Sequence, residues 1–161
     1  MASIRTNIRD AITTAIKGLK KADGYAFDWS TVQQPNTALG GYPRALVYLG
    51  GESCNDTDGG VHQHAYMCNC EVNIEVEVKM TAKTAVPMFA IDSYIDDALD
   101  DLKRMFGKNP SLNGVGNLPV LFSSMEVSEF ASGDTFVSKK FVSIWSITYS
   151  QLRTEPTTIS Y

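Results

Sequence analysis

Glu71-Val72-Asn73-Ile74-Glu75-Val76-Glu77-Val78-Lys79-Met80 is the stretch on which the fold turns. Val72, Ile74, Val76, Val78 and Met80 fall on one parity; Glu71, Asn73, Glu75, Glu77 and Lys79 fall on the other. Side chains in a strand alternate between faces, so this run reads as a strand with one buried face and one wet or polar face. A slip of one residue would expose the whole apolar set, so the alternation also pins the register. One-sided burial of this kind is the habit of antiparallel sheets.

Upstream of it, Arg44 to Leu49 reads as a short buried strand. Gly50 to Gly60, with Asp56, Asp58, Gly59 and Gly60, reads as a long polar connection between two strands. Thr31 to Pro43 is loop-like, punctuated by Pro35, Asn36, Gly40, Gly41 and Pro43. At the start of the chain, Ile4, Ile8, Ala11, Ile12, Ala15, Ile16 and Leu19 recur at helical spacing, which predicts a helix from Ser3 to Leu19 with Ser3 as its N-cap. Lys20-Lys21-Ala22-Asp23-Gly24 ends it, with lysines at the negative pole of the helix and a glycine for the turn. Tyr25, Phe27 and Trp29 allow two readings, an exposed anchor or a strand entering the core, and the second is taken here.

Downstream, Pro87 opens a second amphipathic helix over Phe89 to Phe106, with Ile91, Ile95, Ala98, Leu99, Leu102 and Met105 inward. Gly107 and Pro110 stop it. Val120–Phe130 and Phe136–Leu152 read as strands joined by the turn Ala131-Ser132-Gly133-Asp134. The last strand is apolar on both parities, which predicts a central strand covered on both faces. Arg153 to Tyr161 is a polar tail. A helix the length of the first is marginal alone, so its apolar stripe needs a sheet to pack on. The expected architecture is α+β: a mainly antiparallel sheet with two amphipathic helices on one face, in one domain over residues 1–161.

A chain of 161 residues can bury a core without disulfides or metal. A formal net charge of −4 argues against a general nucleic-acid binder. Apolar stretches fall far short of the roughly 20 residues a membrane span needs. Met1-Ala2-Ser3-Ile4-Arg5 enters a charged helix directly, so no signal peptide is read. Three cysteines, an odd number, lead to the expectation of free thiols in a reducing compartment.

Cys54, His62, His64, Cys68 and Cys70 are residue types that suit zinc, but Cys-x-Cys and His-x-His are not its usual spacing. Cys68 and Cys70 share the parity of Val72 and Ile74, so they read as an extension of the buried face. No metal or other cofactor is expected. Asp92, Asp96, Asp97, Asp100 and Asp101 fall on neighbouring stripes of the second helix and read as a solvated acidic face, not a calcium site. Asp56-Thr57-Asp58-Gly59 imitates part of a calcium loop without the later glutamate. No phosphate loop, dinucleotide fingerprint, nucleophile elbow or triad spacing is present, so no enzyme is read.

The succession of elements resembles the tail terminator (tail completion) proteins of long-tailed bacteriophages. The resemblance is carried by Ile4-Arg5-Thr6-Asn7-Ile8-Arg9-Asp10-Ala11-Ile12, Pro43-Arg44-Ala45-Leu46-Val47-Tyr48, Cys70-Glu71-Val72-Asn73-Ile74-Glu75-Val76-Glu77-Val78, Ile91-Asp92-Ser93-Tyr94-Ile95-Asp96-Asp97-Ala98-Leu99 and Ser143-Ile144-Trp145-Ser146-Ile147-Thr148-Tyr149. It rests on order and texture rather than on a signature motif. It implies a non-catalytic virion protein, made in the host cytoplasm, that closes into a ring, commonly a hexamer. The ring would cap the head-proximal end of the tail tube, meet the tube protein and a head-completion or connector protein, and let DNA pass without specific binding. On that expectation, Asp92, Asp96, Asp97, Asp100 and Asp101, or Glu71, Glu75 and Glu77, would face the lumen. The stretch with Cys54, Asp56, Asp58, His62 and His64 has no counterpart in that resemblance and is a candidate interface loop because long loops suit contacts with another chain. The alternatives are another neck or tail protein, such as a head-closure or tube subunit, and a small metal- or ligand-binding domain built on the Cys/His loop.

Overall fold

The alternating stretch lies inside a longer strand. The computed structural model describes residues 3–29, 31–32, 41–56, 65–81, 88–116, 118–133 and 135–152. Helix α1 spans Ile4–Lys17, followed by strands β1 (Thr31–Val32), β2 (Arg44–Asp56) and β3 (Ala65–Thr81). A 3-10 turn at Met88–Ile91 leads into helix α2 (Asp92–Lys108), and β4 (Leu121–Ser132) and β5 (Phe136–Leu152) close the succession. The sheet has five strands in the order β1-β2-β3-β5-β4. Each of the four long strands is antiparallel to its neighbours, and the two-residue β1 runs parallel to β2. The architecture is α+β, as the alternation implies.

Register explains where the core sits. Val72 pairs with Trp145, Ile74 with Ser143 and Val76 with Phe141, while Val47 pairs with Ile74 and Ala45 with Val76. These residues share one face, and all of them are buried. Helix α1 lays Ile4, Ile8, Ile12 and Ile16 on this face over β1 and β2, and α2 lays Ile95, Ala98, Leu102, Met105 and Phe106 over β3 and β5. Both helices therefore pack on the same side. Ser3 caps α1 as expected, its hydroxyl accepting from the Thr6 amide at 3.2 Å. Trp145 packs against Phe106 at 4.6 Å in a tilted contact and against Phe122 at 5.0 Å edge to face. The Trp145 indole donates to the Ser143 hydroxyl at 2.8 Å, and that hydroxyl donates to the Ile74 carbonyl at 3.3 Å. A buried polar pair that is satisfied in this way costs the core little. Gly24 has φ +91°, a left-handed turn after the short 3-10 turn Lys21–Asp23 that glycine enters without strain.

The structure corrects four readings. Strand β2 does not stop at Leu49 but continues through Gly50 and Gly51 to Asp56, with a bulge between Leu49 and Glu52. Strand β3 is long enough to pair with it, so Glu52 to Asp56 is ladder, not loop, and Gly50 and Gly51 form the bulge. Strand β5 is interior in the strand order, yet its second face is not covered by the helices: Val142 and Ile144 are only half-buried. Trp29 enters the core, but residues 25–29 are irregular rather than a strand. Helix α2 begins at Asp92 rather than Phe89, and it runs through Gly107 to Lys108. The tail at 153–161 lies outside the described residues.

Candidate interaction surfaces

At the upper end of the sheet, β2 and β3 form an arm whose strands are joined by a Cys54–Cys68 disulfide. The ladder sets these residues directly opposite each other. This corrects the expectation of free thiols, which treated Cys54 as part of a loop. Cys68 and Cys70 do continue the buried face of β3, each with no exposed surface. Burial pushes the Cys70 thiol up, Arg5 draws it down, and Glu52 and Glu71 push it up. The Arg5 guanidinium donates to the Gly50 carbonyl at 2.9 Å and approaches Glu52 at 3.8 Å, and the Tyr149 hydroxyl donates to Glu52. These contacts tie the bulge of β2 to the start of α1 and to β5. Asp56 is the last residue of β2, while Asp58, His62 and His64 lie outside the described residues. Two of the three cysteines are bonded to each other and so are not available as thiolate ligands. Among the described residues, no three His, Cys, Asp or Glu side chains come together to hold a metal.

The acidic face of α2 divides. Asp92, Asp96, Asp97 and Asp100 are exposed, and Asp92 meets the Lys139 ammonium of β5 at 2.6 Å. Asp101 is not on that surface and is only 2% exposed. Its carboxylate accepts from the Ala26 amide at 2.8 Å, the Phe27 amide at 3.2 Å and the Trp29 indole at 2.9 Å. It therefore pins the irregular segment 25–29 to α2, and its place among lumen-facing candidates is withdrawn. The same flank of α2 carries Arg104, which donates to the Gly24 carbonyl, and Lys108, which lies 5.0 Å over the Tyr25 ring.

Glu71, Glu75 and Glu77 lie on the other side of the sheet, away from both helices. The ladder places Arg44, Glu77, Lys140 and Glu129 in one row across four strands, so charge alternates along it. Lys140 meets Glu129 at 3.2 Å, and that hydrogen bond, with Glu77 and Glu75 nearby, holds its ammonium above the usual lysine range against a smaller effect of burial. The next row is Leu46, Glu75, Val142 and Glu126. Burial, then Glu75 and Glu71, push the Tyr48 phenol up. This face is mixed in charge and partly apolar, not an acidic wall. The two acidic sets thus occupy opposite sides of one protomer.

Strand β4 is the surface that the sequence reading missed. It forms one edge of the sheet, and of its residues only Met125 is even half-buried. Leu121, Phe122, Val127 and Phe130 are exposed along it, Leu121 at 62%. A long edge strand leaves its outer N–H and C=O groups unpaired and ready for another chain. The available signal was the composition of Leu121–Ser132, which has no Pro, Lys or Arg to discourage such pairing. Two irregularities, at Phe122/Ser124 and Val127/Glu129, bend the strand without covering it.

No family model matches the chain, and no curated protein matches it.

Proposed function

We propose that this chain is a structural ring subunit that caps the head-proximal end of a bacteriophage tail tube, stops its polymerisation and offers the joining surface for the head. Two things support this reading: the resemblance in element order, and one feature of the fold. That feature is a sheet with two unlike edges, β4 on one side and β2 from Leu46 onward on the other, each without a partner strand among the described residues. Unlike edges suit a heterologous contact, and a heterologous contact whose rotation closes gives a ring. In this reading the exposed α2 aspartates Asp97 and Asp100 turn to the bore and repel passing DNA.

The test is negative-stain microscopy of the pure protein, alone and mixed with tail tubes. Closed rings, or a cap on one end of each tube, are expected. Compact particles that ignore tubes would remove the reading, and unlimited tubes from the pure chain would replace it with a tube subunit. Charge reversal by Asp97→Lys and Asp100→Lys together tests the bore. Unchanged assembly and unchanged DNA passage would withdraw that assignment.

A further inference from the structure

We infer that β4 of one copy of this chain pairs with the part of β2 that has no outer partner strand among the described residues, in a second copy, so that the sheet continues from protomer to protomer. This deepens the ring reading by naming the contact between its subunits. Strand direction permits it. The four long strands alternate in direction across β2-β3-β5-β4, so β4 set beside the β2 of a following copy is again antiparallel. Length permits it as well, since the part of β2 beyond the two residues taken by β1 is nearly as long as β4.

Charge chooses this arrangement over β4 pairing with itself. The charged residues of β4 are Glu126 and Glu129, and in a two-fold β4–β4 pair these would be brought close to their own copies on the same face. Beside β4, the flank of α2 marked by the Asp92–Lys139 and Lys103–Phe122 contacts also carries Asp96, one helical turn from Asp92. The helix side of β2 carries guanidinium groups, with Arg5 3.8 Å from Glu52 and Arg9 3.2 Å from Asp10. Helix α1 lies over β2 and carries Arg5, Arg9 and Lys17 against the single acid Asp10. Between them runs an open cleft of about 350 Å³ lined by Arg5, Arg9, Val47, Tyr48 and Leu49, among others. Across such a joint Asp96, on the helix side, stands toward Arg5 and Arg9, while Glu126 and Glu129 share the helix-free face with the exposed Tyr48 ring.

The experiment uses the full chain. Sedimentation equilibrium from micromolar to about millimolar concentration should show self-association. Val127→Lys, on the exposed part of β4, should weaken it at least tenfold while thermal melting stays unchanged. Geometry is tested with Ser124→Cys in β4 and Tyr48→Cys in β2, both on the helix-free face, and a short bis-maleimide linker. A mixture of the two single variants should cross-link to dimers, and the double variant should give longer ladders. Efficient dimers from Ser124→Cys alone would mean two-fold pairing and would overturn the proposal, as would a monomer at every concentration. A chain that associates through these edges but ignores tail tubes keeps this inference and loses the cap. A chain that caps tubes without the Ser124–Tyr48 cross-link does the reverse.

Discussion

Asp101 takes two backbone amides and one indole N–H, and all three donors would be left without an acceptor if it were removed. Asp101→Ala should cost about 3–5 kcal/mol in urea unfolding, the scale for stripping the acceptor from a buried charged network. Asp100→Ala, one residue away on the exposed face, should change stability by less than about 0.5 kcal/mol. Helical spacing could have separated the two, because Asp101 lies three residues after Ala98 and four before Met105, both buried. Reading the aspartates as one stripe hides this, since a carboxylate at the border of an apolar face looks like its exposed neighbours until its donors are known. Titration adds a second prediction at this scale. Tyr48, Cys70 and Lys140 all hold their protons more tightly in the folded chain than is usual for their kinds. Above the ordinary thiol range, near pH ~8.5, the unfolded chain gives up protons first and the folded chain retains them. Their contribution is therefore whole below that range, and it is lost as pH rises through it and through the Tyr and Lys range near pH ~10. Urea midpoints should be flat from pH 7 to 8 and fall steadily from pH 9 to 11. A rising midpoint would contradict the environment assigned to these groups.

Among the elements, the β2–β3 arm is where sequence and structure part most. Strand β3 is legible because its apolar residues alternate over a covered face. Beyond Leu49, β2 carries Gly50, Gly51, Glu52, Ser53, Asn55 and Asp56, a composition that marks a loop anywhere else. The ladder with β3 and the Arg5 contact at Gly50 hold it extended, and neither leaves a trace in local composition. Once β2 is extended that far, Cys54 falls opposite Cys68, so the missed strand and the missed disulfide have a single cause. A disulfide closing a loop of this size stabilises by roughly 3 kcal/mol, chiefly by restricting the unfolded chain. Thiol titration of the unreduced, unfolded protein should find only Cys70, and reduction should release the other two cysteines and lower the thermal midpoint. Helix α1 is legible almost to the residue, since its isoleucines repeat at one spacing and Ser3 stands at its start. Ser3→Ala should cost about 1 kcal/mol through loss of the Thr6 amide bond. Strand β4 is legible as a strand but not as an edge, because edges are set by the order of strands in space.

For the whole molecule, a layer of helices on one side of a sheet fixes what either side can meet. The α2 aspartates and the Glu71, Glu75 and Glu77 row face opposite ways, so one protomer cannot turn both sets to the same bore. Reversing Glu71, Glu75 and Glu77 to lysine should alter contacts of the helix-free face while leaving any effect of the α2 charges on DNA passage in place, which comparison with the Asp97→Lys, Asp100→Lys variant would show. The strand order has one more consequence, in time rather than in space. Strands β2 and β3 are consecutive in the chain, as are β4 and β5, but the middle of the sheet joins β3 to β5 across everything between them, from Thr81–Phe136 to Ala65–Leu152. Two local hairpins form readily, whereas a seam between distant segments closes slowly. During synthesis β3 emerges long before β5, its second neighbour, and α2, made in between, has only one of its two supporting strands. The half-made chain is thus a hairpin with a bare inner edge awaiting the second, and the slowest event in its maturation should be the docking of one hairpin onto the other.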